Sequence, residues 1–121
     1  MKREMELIRK MLIAVEDLPG GWAPAEMKFD GYTEDQVGYH AYLLVDAGLA
    51  RGADVTSNMS KAPEYELLNL TWAGHEFCDA ARDDTRWKKA MWIVKEKGGH
   101  VTLEILKELL VSLMKGAFGL M

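Results

Sequence analysis

Residues 33–49, TEDQVGYHAYLLVDAGL, decide how the chain folds. Thr33 is placed to accept from the backbone N–H three residues on, while Gln36 reaches back to the Thr33 amide, a T-x-x-Q capping box. Glu34 and Asp35 put negative charge at the positive end of the helix dipole. Val37, Ala41, Leu44 and Ala47 then recur at helical spacing and define one buried face. Gly48 supplies the left-handed residue that ends the helix, and Leu49 opens an extended segment. The spacing predicts a helix over 33–47, a glycine corner and a strand. Gln36, Tyr39, His40, Tyr42 and Leu43 fall off the buried stripe, and this helix contains no Lys or Arg.

Upstream, the periodicity predicts a first helix over about 2–17. Met1, Met5, Ile8, Leu12 and Val15 form its stripe, with Leu7, Met11, Ala14 and Leu18 beside it and Lys2, Arg3, Glu6, Arg9 and Lys10 on the wet side. Pro19-Gly20-Gly21 stops it, and no G-K-[ST] follows to make a phosphate loop. Trp22 reads as a short extended piece and Pro24–Met27 as one turn of helix, since Pro suits a first helical position. Downstream, 49–55 and 65–70 read as two strands, with Leu68 and Leu70 alternating toward one face. The polar stretch TSNMSKAPE between them reads as a mobile loop. Thr71 caps the next helix, packed through Ala73, Phe77, Cys78 and Ala81, with Gly74 allowing a close approach. Asp83-Asp84 offers a second cap or a bend. A helix with Trp87, Met91 and Val94 on one face follows and ends at Gly98-Gly99. Thr102 caps the last helix, whose Leu103, Leu106, Leu110, Leu113 and Ala117 make a heptad-like seam. Ile105, Leu109 and Val111 lie outside that seam, so this helix calls for two neighbours, one of which a second subunit can supply.

The 121 residues suffice for one compact domain, or a small domain with an appendage. Net charge is −4, which gives no global basic signature of a nucleic-acid binder. Residues 1–82 hold 8 Lys/Arg against 14 Asp/Glu, and residues 83–121 hold 7 against 5, so the basic excess lies in the tail. No apolar run approaches the roughly 20 residues of a bilayer span. The stretch MKREMELIRK lacks the apolar core of a signal peptide, and the single Cys78 has no internal partner. A cytoplasmic protein is the plain expectation.

The run V-G-Y-H-A-Y-L-L-V-D-A-G-L-A, then two strands, then L-T-W-A-G-H-E-F, resembles bacterial winged-helix regulators. Val37, His40, Leu44, Ala47, Gly48, Leu49, Leu70, Thr71 and Gly74 carry the resemblance. Ala41 stands in place of a larger apolar residue, and the second helix is abbreviated. MKREMELIRKMLIAVE, G-Y-T-E-D-Q-V-G-Y-H and LTWAGHEFCDAARDDTRWKKA more closely resemble a bacterial and phage family known as domain of unknown function family 2513. The resemblance implies an α+β, mainly helical winged helix-turn-helix over 1–82, with a two- to three-stranded wing. Residues 83–121 would be a helical extension for packing or dimerisation. It also implies a structural role for His40, in packing or capping.

Two functional readings follow. In the first, the chain is a dimeric winged-helix DNA-binding protein, a phage or prophage type of regulator. Gln36, Tyr39 and Tyr42 would face the major groove, because Gln pairs with adenine edges and Tyr hydroxyls reach phosphate. Arg51, Asn58 and Lys61 on the wing would contact backbone or minor groove. Leu103, Leu106, Leu110 and Leu113 would join the subunits, setting the two reading helices roughly 34 Å apart. In the second reading the same aromatic and acidic face binds a protein. Chemistry is not expected. H-E-F-C-D at 75–79 is not H-E-x-x-H, and His75 with Asp79 does not close a zinc site, so no metal, cofactor or enzymatic activity is assigned. Trp22, Trp72, Trp87 and Trp92 read as core and interface packing.

Overall fold

The computed structural model describes residues 1–120. Among them are five helices and one two-stranded antiparallel sheet, in the order α1 (Met5–Glu16), α2 (Glu34–Asp46), β1 (Ala50–Asp54), β2 (Tyr65–Leu70), α3 (Trp72–Ala81), α4 (Asp84–Glu96) and α5 (Leu103–Ala117). This mixed α+β arrangement is consistent with a winged-helix-like chain path. The chain forms two compact units, Met1–Glu76 and Phe77–Met121, so the division falls inside α3 rather than after it.

In the first unit, α1 begins later than its apolar pattern. Glu4 is extended, and its amide donates to His40 Nε2 at 2.8 Å instead of entering the helix. Leu7, Ile8, Met11, Leu12 and Val15 are buried, whereas Met1 is exposed. Arg9, expected on the wet side, is 9% exposed. Its guanidinium lies 3.7 Å from Glu6 one turn earlier, and a long aliphatic stem can cover apolar surface while its head stays polar.

No helix forms at 24–27. The residue before a proline is pushed toward extended backbone, and the Ala23 amide donates to the Leu68 carbonyl at 2.7 Å. The segment therefore lies along β2 by one ladder bond rather than coiling, and the sheet proper has two strands.

The α2 capping box forms as its spacing predicts: the Gln36 amide donates to Thr33 Oγ1 at 3.1 Å and the Thr33 amide to Gln36 Oε1 at 2.8 Å. Val37, Ala41 and Leu44 are buried, but Ala47 is exposed, because it is already the C-cap residue. Gly48 takes φ +76° and turns the chain into β1.

β1 pairs with β2 in the register Ala50↔Leu70, Arg51↔Asn69, then Gly52↔Leu67, with an irregularity between Arg51 and Gly52. Leu68 is the residue left without a partner, a bulge that changes the phase of the strand. Leu67 and Leu70 are buried and Leu68 is 42% exposed, so Leu68 and Leu70 do not share a face. The loop between the strands is cross-braced. The Glu64 amide donates to Thr56 Oγ1 at 2.9 Å, Thr56 Oγ1 donates to the Glu64 carbonyl at 3.2 Å, and Ser60 Oγ donates to Glu64 Oε2 at 3.0 Å.

At the end of β2, Thr71 ties the corner together. Its amide donates to the Leu49 carbonyl at 3.1 Å, its hydroxyl donates to the Gly48 carbonyl at 2.6 Å, and that same oxygen accepts from the Gly74 amide at 3.1 Å. A Cβ on Gly74 would overlap the Leu49 carbonyl oxygen, which is the close approach its lack of a side chain permits.

In the second unit, Phe77, Cys78 and Ala81 are buried as expected, and the chain breaks at Arg82-Asp83. Asp83 caps α4 by accepting from the Arg86 amide at 2.7 Å, and the Arg86 guanidinium reaches back to the carbonyls of Asp79 and Ala80 at the end of α3. Thr102 caps α5 by accepting from the Ile105 amide. Of the four tryptophans only Trp87 is buried; Trp22, Trp72 and Trp92 are 66%, 80% and 63% exposed, so core packing holds for Trp87 alone.

Candidate functional site

Of the six residues expected to recognise a partner, Gln36, Tyr39 and Tyr42 lie on α2, Arg51 on β1, and Asn58 and Lys61 on the loop between the strands, and several of them are engaged inside the chain. Gln36 is half-buried, and its side-chain oxygen is held by the Thr33 amide. A glutamine that reads adenine presents both its oxygen and its nitrogen, and here the oxygen is already oriented toward the Thr33 amide, with one of its two lone pairs in use. Tyr39 and Tyr42 lie one turn apart with ring centroids 5.6 Å apart, and Tyr42 meets Tyr65 of β2 edge-on at 5.4 Å. Aromatic contacts of this geometry stabilise by about 0.5–1.5 kcal/mol beyond area burial. The rings thus link α2 to the sheet while remaining half-exposed. Arg51 is exposed, and its Nη1 points to the Leu70 carbonyl at 3.4 Å. Asn58 and Lys61 stand exposed on the braced loop.

His40, expected off the buried stripe, is fully buried. Its Nδ1 lies 2.7 Å from the Gln36 carbonyl and its Nε2 accepts from the Glu4 amide. A carbonyl can only accept and an amide N–H can only donate, so the two partners fix a neutral ring protonated at Nδ1. The capping role expected of His40 is therefore real, but the helix it caps is α1. Burial pushes its pKa below the ordinary 6.5, against the opposing pull of the Gln36 carbonyl and the Glu4 charge.

His75 does not turn to Asp79. Its Nδ1 contacts Glu16 Oε2 of α1 at 2.8 Å, and Cys78 is a buried free thiol. Of the α5 seam, Leu106 and Leu110 are fully buried within the chain, and Leu103 and Leu113 are half-buried. A second subunit would meet only the flanks of this seam, beside Ile105, which is 54% exposed.

One feature of this surface involves residues that the sequence reading did not single out. A cleft of about 380 Å³ opens between the start of α2, residues 25–27 and the start of β2. Glu26, Glu34, Glu64 and Glu66 stand on its rim, and Val37, Gly38, Met27 and Tyr65 contribute its apolar lining. A cavity of about 50 Å³ shares Val37, Met27 and Tyr65 with it and reaches the buried Met11, Ala41 and Leu67. Lys28, the nearest cation in sequence, lies 3.5 Å from Glu26.

The arrangement defines a small mixed α+β protein with a capped helix set against a two-stranded sheet. It belongs to the family described as "Hypothetical protein (DUF2513)", whose model matches residues 2–100 and so stops short of α5. The chain is also similar to an uncharacterised protein of Haemophilus influenzae (strain ATCC 51907 / DSM 11121 / KW20 / Rd). The two are 34% identical over 116 residues, which cover 89% of this chain and 91% of that protein. No solved structure matches the chain. No helix among the described residues is long and apolar enough to cross a membrane.

Proposed function

We propose that the chain is a winged-helix-type protein-interaction module whose α2–β2 face binds a partner protein. The observation that carries this reading is electrostatic. The α2 helix exposes Glu34, Asp35 and Asp46 and has no Lys or Arg, and the cleft beside it adds three more carboxylates, Glu26, Glu64 and Glu66, to Glu34. Duplex binding draws most of its non-specific affinity from cations that displace counterions. A carboxylate about 5 Å from a phosphate instead costs roughly 1–3 kcal/mol at effective dielectrics of 80 to 20. The half-exposed Tyr39 and Tyr42 supply the rigid aromatic area that protein interfaces favour.

A DNA-binding reading keeps one observation in its favour: the braced loop presents Asn58 and Lys61 to solvent, as a wing reaching a groove would. In that reading the protein is a phage or prophage type of regulator. It would be dimeric through the flanks of α5, with Leu103, Leu113 and Ile105 at the contact.

Titration of random duplex over a salt series separates the two. No binding at low salt is expected; saturable binding that falls steeply with salt would overturn the protein-interaction reading. Affinity capture by wild type, Tyr39→Ala and Tyr42→Ala then tests the surface. Equal capture by all three would remove this face from the function. Sedimentation of the full chain tests the dimer, which should appear as a concentration-dependent doubling of mass.

A further inference from the structure

Resting on that protein-interaction reading, we infer that the cleft between α2 and β2 receives a cationic segment of the partner, an extended peptide bearing Arg or Lys side chains. Two properties of the cleft select this class. Its rim is acidic from three separate directions: Glu26, itself beside Lys28, from the extended segment, Glu34 from the first turn of α2, and Glu64 and Glu66 from the end of the loop and the start of β2. Its lining is largely polar, with apolar surface at Val37, Met27 and Tyr65, and the smaller, more apolar cavity continues from these toward core residues. An acidic rim over this apolar surface complements a side chain with a hydrocarbon stem and a cationic end, which is what Arg and Lys present. An anionic or wholly apolar ligand would leave one of the two unmatched. The cleft is also continuous with the aromatic face, because Tyr65 belongs both to its wall and to the Tyr42 contact.

The acidic wall is held in place. Glu64 accepts from the Ser60 hydroxyl, and its stem lies so close to α2 that a Cβ on Gly38 would sit 2.9 Å from Glu64 Cγ. Gly38 is a helical glycine, so Gly38→Ala favours the helix by propensity while displacing the Glu64 stem. Its effect on binding is read beside its thermal midpoint, which separates cleft shape from stability.

The test is fluorescence anisotropy of the full chain with a fluorescein-labelled hexa-arginine peptide. The variants are Glu64→Gln with Glu66→Gln, Gly38→Ala, and Glu96→Gln as a charge control on α4. Saturable binding is expected, weakened about fivefold or more by the paired glutamine substitutions. Gly38→Ala should weaken it as well without lowering the thermal midpoint, and Glu96→Gln should leave it unchanged. Absence of saturable binding overturns the inference, as does an equal effect of Glu96→Gln, which would mean that diffuse acidity alone attracts the peptide. If lysate capture still depends on Tyr39 and Tyr42 while the peptide fails to bind, the cleft assignment falls and the interaction reading stands. If peptide binding is cleft-dependent but capture is indifferent to both tyrosines, the aromatic face falls and the cleft stands.

Discussion

Acidification should weaken this fold through one buried ring, and His40→Gln is the substitution that isolates it. In the folded chain the imidazole accepts from the Glu4 amide and donates to the Gln36 carbonyl, so both nitrogens are in use and the ring is neutral. A proton added at Nε2 would set an N–H against an N–H and leave the start of α1 without its acceptor. Burial is the dominant cause of the lowered pKa; Glu4, the charged group facing the ring, and the Gln36 carbonyl pull the other way and do not outweigh it. Because the folded value lies below the unfolded 6.5, the unfolded chain takes the proton first as pH falls. The contribution of His40 is complete above pH 6.5 and is lost as pH falls toward the folded pKa. Linkage limits that loss to about 1.4 kcal/mol at pH 5.5. Glutamine keeps an acceptor and a donor but does not titrate. Urea unfolding of both proteins between pH 8 and 5 therefore isolates His40 as a difference, with the common carboxylate effects cancelling. The wild type should lose stability faster than the variant below pH 6.5. Parallel curves, or an NMR titration placing His40 at or above 6.5 in the folded chain, would refute the reasoning.

Three further outcomes are expected. Gly74→Ala forces a methyl onto the Leu49 carbonyl at the Thr71 corner and should cost about 3 kcal/mol, read as a lower urea midpoint at unchanged slope. Thr33→Ala removes the acceptor for the Gln36 amide and should cost about 1 kcal/mol, whereas Thr33→Ser should restore most of it, both by thermal unfolding. Leu68→Glu should change stability by less than about 0.5 kcal/mol, while Leu67→Glu, which buries a carboxylate, should prevent cooperative unfolding as seen by circular dichroism. Similar behaviour of the last two would mean that the bulge is misplaced.

What could be read in the chain beforehand was local. The capping box and the Gly48 corner each depend on residues within a few positions of one another. What could not be read depends on pairing. The bulge exists only because β1 lies opposite β2, and it exposes Leu68 despite an alternating pattern. Pro24 is compatible with a helix start, but the bond from Ala23 to Leu68 holds the segment extended. His40 is polar and sits beside the apolar stripe, and its burial depends on the Glu4 amide, a partner 36 positions away in the extended residue before α1. The cleft was hidden for the same reason, since Glu26, Glu34 and Glu64 converge from three segments.

The features that make α2 legible also bear on its function. A T-x-x-Q box announces a helix start because Gln36 folds back on Thr33, and that contact turns toward the helix start the oxygen a groove-reading glutamine would present. Glu34 and Asp35 stabilise the same end through the helix dipole, and they place negative charge where a phosphate would approach. Tyr42 leans on Tyr65 and joins the helix to the sheet. Stability and DNA recognition therefore compete for the same side chains on this helix, and each contact in the structure favours stability. On the proposed reading, the partner suited to what remains, half-exposed rings beside a carboxylate-rimmed cleft, brings cations and apolar stems. A polypeptide can bring both, whereas a nucleic-acid backbone brings only the charge already present.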